Sequence, residues 1–130
     1  MKSHINGIRV IPTEDEEQSY IFNWSRLNTN KYPDLVLMYH IPNEGKRSYR
    51  EGAKQKSIGL KKGVPDICLP VARGKYHGLY IELKALDGKL TDNQQKWIDN
   101  LNAVGFRACV CYGAKAAIAE IEKYLNEENI

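Results

Sequence analysis

The stretch that most constrains the fold runs from Gly63 to Lys84, GVPDICLPVARGKYHGLYIELK. Pro65-Asp66-Ile67-Cys68-Leu69-Pro70 is a short apolar run between prolines, and Leu79-Tyr80-Ile81-Glu82-Leu83-Lys84 is a second run that alternates near its end. The segment between them, Ala72 to Gly78, carries two glycines and several charges, so the pattern predicts two strands joined by a turn. Strand side chains have a period of two, which puts Glu82 and Lys84 on one face and Ile81 and Leu83 on the other. A hairpin roughly symmetric about Gly74 sets Asp66 opposite Glu82, with Cβ atoms about 4.5–5.5 Å apart.

Two carboxylates that close repel unless a cation sits between them. A divalent metal is one candidate and Lys84 is another. Mg²⁺ is a hard ion that takes oxygen ligands, often one or two carboxylates with water and phosphate completing the set. The plain alternative is a cross-strand ion pair on a solvated sheet face.

The Pro-Asp…Glu-x-Lys arrangement resembles the PD-(D/E)xK nuclease superfamily. His40-Ile41-Pro42-Asn43-Glu44-Gly45, then Gly63-Val64-Pro65-Asp66, then Gln94-x-x-Trp97 resemble, in order and spacing, the virus-type replication-repair nuclease (VRR-NUC) family, from about Thr13 to Gly113. The resemblance implies an α/β restriction-endonuclease-like core of order αβββαβ, with a mixed central sheet flanked by helices. It implies a Mg²⁺-dependent endodeoxyribonuclease, with Mn²⁺ accepted in place of Mg²⁺ because it takes the same ligands. Asp66, Glu82 and the backbone carbonyl of Leu83 would bind the metal, and Lys84 would position the attacking water or stabilise developing charge. A glutamate of the first helix would also enter the site. The Glu-x-x-x-Gln pattern matches Glu14 and Gln18, and Glu17 is the rival because it sits closer to the apolar stripe. Gln94 would help organise the metal site, although Thr91-x-x-Gln94 is also a capping box that could use the amide on the backbone. The resemblance further points to DNA of particular shape, a flap or four-way (Holliday) junction, to a homodimer, and to the cytoplasm of a bacterium or phage-infected cell. Two alternatives stay open: a non-catalytic nucleic-acid-binding module on the same fold, and a sequence-specific restriction-type endonuclease.

A chain of 130 residues suits one domain, here 1–130, with an N-terminal arm over 1–12 and a frayed tail over 126–130. No apolar run approaches the ~20 residues of a membrane span and no signal peptide opens the chain, so a soluble intracellular protein is expected. Three cysteines without CxxC spacing argue against a disulfide framework or zinc knuckle and predict buried thiols. Net charge is only +3, but Lys46, Arg47, Arg50, Lys54, Lys56, Lys61 and Lys62 crowd one segment with Glu51 its only acid. That segment is either a solvated helix face or a phosphate-contacting surface, for which Lys46, Arg47, Arg50, Lys54, Lys61 and Lys62 are the candidates.

The remaining elements follow from periodicity. Thr13 with Glu16 predicts a capped helix with Tyr20, Ile21, Trp24 and Leu27 inward. Leu35 to Tyr39 reads as a buried strand, and Ser48 to Ile58 as a cation-rich surface helix closed by Gly59. A helix from Thr91 to about Val104 turns Trp97, Ile98, Leu101 and Val104 inward, leaving Gln95 exposed. Phe106 to Tyr112 is a strand. Ala114 to Leu125 is a packing helix, with Ala117, Ile118, Ile121, Tyr124 and Leu125 inward.

Overall fold

Threonine side chains start two of the helices. Thr13 Oγ1 accepts the Glu16 N–H while the Glu16 carboxylate accepts the Thr13 N–H, and Thr91 and Gln94 repeat the arrangement. These capping boxes satisfy donors that a first helical turn leaves unpaired, each cap stabilising by roughly 1 kcal/mol. The computed structural model describes residues 2–42, 53–54 and 56–127. Its elements are β1 (His4–Ile5), β2 (Ile8–Arg9), α1 (Glu14–Leu27), a 3₁₀ helix (Pro33–Leu37), β3 (Tyr39–His40), β4 (Ile67–Leu69), β5 (Leu79–Lys84), α2 (Asp92–Ala103), β6 (Arg107–Tyr112) and α3 (Ala114–Leu125).

The main sheet has the order β3-β4-β5-β6. Its first two pairings are antiparallel, and the β5–β6 pairing is parallel because α2 carries the chain back between them. From α1 to β6 this is the expected αβββαβ order in a mixed sheet. One sheet face carries Ile67, Leu69, Leu79, Ile81 and Leu83, all at most 1% exposed, packed with Ile21 of α1 and with Ala117, Ile121 and Tyr124 of α3. Burying each such Ile or Leu is worth about 1.5–3 kcal/mol, so this layer holds β5 rigidly from one side. The other side of the same strand is then free to carry polar groups in a fixed place.

Gly63 fixes the entry to β4. Its φ is +86°, and a Cβ there would lie 2.7 Å from the backbone carbon of Asn93 in the first turn of α2. Only glycine suits both the conformation and the contact.

Three expectations are corrected. The run Leu35–Tyr39 is not a strand: Pro33 occupies the first turn of a 3₁₀ helix, Leu35 is buried, and Val36 and Leu37 face solvent. Asp34 is held there by an ion pair with Arg73, and β3 is reduced to Tyr39–His40. In α1 the inward line is Ile21 and the buried Ser25, flanked by Phe22 and Trp24, while Tyr20 and Leu27 are exposed. Val104 is likewise exposed, just past the end of α2. The N-terminal arm is a hairpin, β1 paired with β2 through Asn6 (φ 51°) and Gly7 (φ 77°), the positive angles that a tight hairpin turn requires. Arg9 ties it to Asp87 at 3.2 Å. Of the expected Ser48–Ile58 helix, Ser48 to Gly52 and Gln55 lie outside the described residues; Ala53, Lys54, Lys56 and Ser57 are helical, and Gly59 follows at φ +105°. Of the thiols, Cys68 and Cys111 are buried and Cys109 is half-buried. No helix among the described residues is long and apolar enough to cross a membrane.

Candidate active site

β4 pairs with β5 through Ile67↔Ile81, Cys68↔Tyr80 and Leu69↔Leu79. One more step of that register sets Asp66 against Glu82, as symmetry about Gly74 requires. β4 begins only at Ile67, so β5 runs beyond it and the Leu83 N–H has no strand partner there. Asp66 fills the gap, its Oδ2 accepting from Leu83 N at 2.8 Å. Its carbonyl oxygen accepts from Ile41 N at 2.7 Å and lies 2.8 Å from His40 Nδ1. Asp66 is therefore fixed at both ends, by β5 and by the residues of β3 and just beyond.

Glu82 is 1% exposed and Lys84 6%, although both are ionisable. Lys84 Nζ stands 3.7 Å from Glu82 Oε2, an ion pair without a good hydrogen bond. Glu82 Oε1 is buried and has no hydrogen-bond partner among the described residues. A third carboxylate arrives from α1: ligand oxygens of Glu14, Asp66 and Glu82 all lie within 4.8 Å of one another. Burial, and then the neighbouring Asp66 carboxyl, push the Glu82 carboxyl up to about 9, with Lys84 opposing. Burial also raises Glu14, again with Asp66 contributing and Lys84 opposing. In the protein alone, the Glu82 carboxyl therefore favours its neutral form.

These groups line a cavity of about 310 Å³, together with Asp15, Gln18, His40, Leu83 and Gln94. The structure thus gathers Glu14, Gln18, Asp66, Glu82, Leu83, Lys84 and Gln94 at one place. Glu17, the rival to Glu14, is directed elsewhere, its carboxylate lying by Gly113. For Gln94 both readings apply at once: its Oε1 accepts the Thr91 N–H at 2.9 Å, yet the side chain lines the cavity. Lys54, Lys61 and Lys62 are exposed and outside the cavity lining, while Lys46, Arg47 and Arg50 lie outside the described residues. Trp97 Nε1 donates to the Lys62 carbonyl, which moors the Lys62–Gly63 turn to α2.

Three contributors were given no site role from sequence, although His40 opens one of the motifs that carry the family resemblance. Asp15 and His40 line the cavity. Gly88 supports Lys84, because a Cβ there would lie 3.2 and 3.3 Å from the lysine stem. The Asp87-Gly88 turn was legible as a turn, but nothing in its pattern tells which side chain rests on it.

A family model described as the VRR-NUC domain matches residues 5–115. The chain belongs to the VRR-NUC domain family. This is a family of nucleases. A solved structure described as "VRR_NUC domain protein" is 34% identical and superposes with a TM-score of 0.79, covering 91% of this chain and 92% of that one. The search of curated proteins gives no significant match. The likeness covers α1 through β6, so this VRR-NUC chain has the restriction-endonuclease-like α/β core, and its carboxylate cluster stands at the fork where β4 begins and β5 runs on past it.

The donor set tests whether a metal fits. All three carboxylates offer hard oxygen ligands, and among the described residues no donor meets the buried Glu82 Oε1. A divalent cation would meet that oxygen, offset the mutual repulsion, and take the place of the Glu82 proton.

Proposed function

We propose that this VRR-NUC chain, a single domain over residues 1–130, is a divalent-metal-dependent DNA endonuclease. It hydrolyses phosphodiester bonds in branched DNA, flaps or four-way junctions, as a homodimer in the cytoplasm of a bacterium or phage-infected cell. One observation carries the hydrolytic reading: Glu82 is buried with an oxygen unpartnered among the described residues, beside two carboxylates and an ammonium group. A structural ion pair would satisfy its acceptors; this one leaves an acceptor open toward a cavity.

In this reading Asp66, Glu82 and Glu14 hold Mg²⁺ or Mn²⁺, with the Leu83 carbonyl as a further ligand. When bound, the ion polarises the phosphoryl group and favours ionisation of the attacking water. Lys84 donates hydrogen bonds to that water or to a non-bridging phosphoryl oxygen, from a stem held by Gly88 and the strand. Gln94 and Gln18 contribute amide groups from α2 and α1 that orient substrate or water at the cavity wall. Lys54, Lys61 and Lys62, with Lys46, Arg47 and Arg50, contact backbone phosphates, which position DNA without reading its sequence.

The test is a nicking assay with Mg²⁺ or Mn²⁺ on linear, flapped and four-way-junction DNA, with Glu82→Ala beside the parent. Metal-dependent cleavage at branch points by the parent alone is the expected result. Equal products from parent and Glu82→Ala would remove the assignment. Fixed-sequence cuts in linear duplex would favour a restriction-type enzyme. Binding without cleavage, unchanged in Asp66→Ala and Lys84→Ala, would favour a non-catalytic module.

A further inference from the structure

A second cavity, of about 440 Å³, adjoins the carboxylate site and is lined by Gln18, Ser19, Phe22, Asn23, Arg26 and His40. Gln18 and His40 line both cavities, so the two form one trough. The α1 residues along it recur at helical spacings of three and four, which places them on one face. From Gln18 to Arg26 that face is about 12 Å long. Charge changes along its length. Four carboxylates line the first cavity, whereas no acid lines the second and Arg26 stands in it. Asn23 Oδ1 accepts from Arg26 Nη1 at 2.8 Å, which aims the guanidinium, and no salt bridge among the described residues neutralises it. Phe22 is half-buried and packs on the core, so its ring is a fixed apolar wall rather than a loose side chain.

We propose that this trough binds nucleotides that are unpaired, or opened at a branch point, next to the scissile phosphate, an inference that rests on the nuclease reading above. Arg26 meets a backbone phosphate, Ser19 and Asn23 meet polar edges, and Phe22 gives a base its stacking surface. A base inside a duplex has both faces covered by its neighbours, so Phe22 can stack only on a base that is unpaired or opened at a branch point. Preference for branched over linear DNA then originates on α1, without any reading of sequence.

Binding is measured apart from cleavage, in Ca²⁺ or EDTA, by fluorescence anisotropy with labelled oligothymidylate and with linear duplex of equal length. Arg26→Glu is expected to weaken oligothymidylate binding by about tenfold, and Arg26→Ala to lower the salt slope by roughly 0.7, one phosphate contact on a single strand. Lys75→Glu, at the tip of the β4–β5 hairpin, serves as the remote control and should bind as the parent does. Asn23→Cys should exchange with an oligonucleotide tethered through an activated mixed disulfide, releasing the leaving thiol, faster than Lys75→Cys, a readout that survives if the arginine variants fold poorly. Parent-like binding by a folded Arg26→Glu, or equal cross-linking at Asn23→Cys and Lys75→Cys, would overturn the proposal. A parent that binds through Arg26 but cuts nothing with metal would keep the trough and sink the nuclease reading.

Discussion

Replacing Glu82 by glutamine keeps the shape of the side chain and removes its titration, which makes the cost of the buried carboxyl measurable. The native carboxyl is pushed up to about 9, against an ordinary value of 4.5 in the unfolded chain. A raised native value means that the stabilising contribution is fully present below the unfolded value and is lost as pH climbs toward the native one. Across that window the unfolded state releases a proton that the native state keeps, so the metal-free parent loses up to about 1.4 kcal/mol per pH unit. From about pH 5.5 to about pH 8 the limit is roughly 3.4 kcal/mol; allowing about half for water that enters the open cavity leaves near 1.7. In a chain of this size that is about 5–7 °C in melting temperature. The assay is thermal unfolding of parent and Glu82→Gln in EDTA across that pH range, with the difference curve cancelling groups common to both. The variant should gain on the parent by that amount as pH rises. Adding Mg²⁺ at the alkaline end should raise the parent, because a ligand that binds only the native state stabilises it, and should leave the variant nearly unmoved. Parallel pH curves, or an equal response to Mg²⁺, would refute the account of Glu82 as a buried acid awaiting a cation.

Lys84→Ala should lower metal-dependent cleavage by about 10²–10³-fold, the loss typical of one well-placed charge stabiliser, while the Mn²⁺-induced rise in melting temperature persists. A parent-like rate would exclude lysine from the reaction. Gly88→Ala should slow turnover roughly tenfold with little change in melting temperature, since its Cβ would meet the Lys84 stem at 3.2 Å and displace the ammonium; unchanged turnover would show that the stem has slack. Gly63→Ala should cost about 2–3 kcal/mol in denaturant unfolding, from a positive φ and a backbone clash with α2, whereas Gly59→Ala, positive in φ but with no atom of the described residues within 4 Å, should cost about 1. Equal costs at the two glycines would mean that α2 yields at Asn93.

The parts of the site that were legible in the sequence are those set by local rules. β5 spans the whole of Leu79–Lys84, and the register that opposes Asp66 to Glu82 follows from period-two alternation and a turn centred on Gly74. Both threonine capping boxes are decided within four residues. What the sequence hid depends on partners distant in the chain. Leu35–Tyr39 looks like a strand by hydropathy, but Pro33 starts a tight helical turn and Arg73, thirty-nine residues on, holds Asp34 in it. The Asn6-Gly7 hairpin had a local signal that the reading of the arm passed over; its docking through Arg9 to Asp87 had none.

The first helix shows most sharply how a local rule misleads. Hydropathy periodicity drew the inward line of α1 through Tyr20, Ile21, Trp24 and Leu27, which favours Glu17 as the residue nearest the stripe. The real line passes through Gln18, Ile21 and Ser25, and Ser25 is 5% exposed while Leu27 is 84% exposed. A buried serine is invisible to a hydrophobicity pattern, because the small side chain is selected for close helix approach and not for transfer out of water. Once the line is turned to include Ser25, Glu14 and Gln18 fall one helical turn apart at its N-terminal end, beside Asp66 and Glu82, and Phe22 and Arg26 fall along the trough wall. One rotation of α1 therefore sets both the third carboxylate of the cluster and the surface beside it.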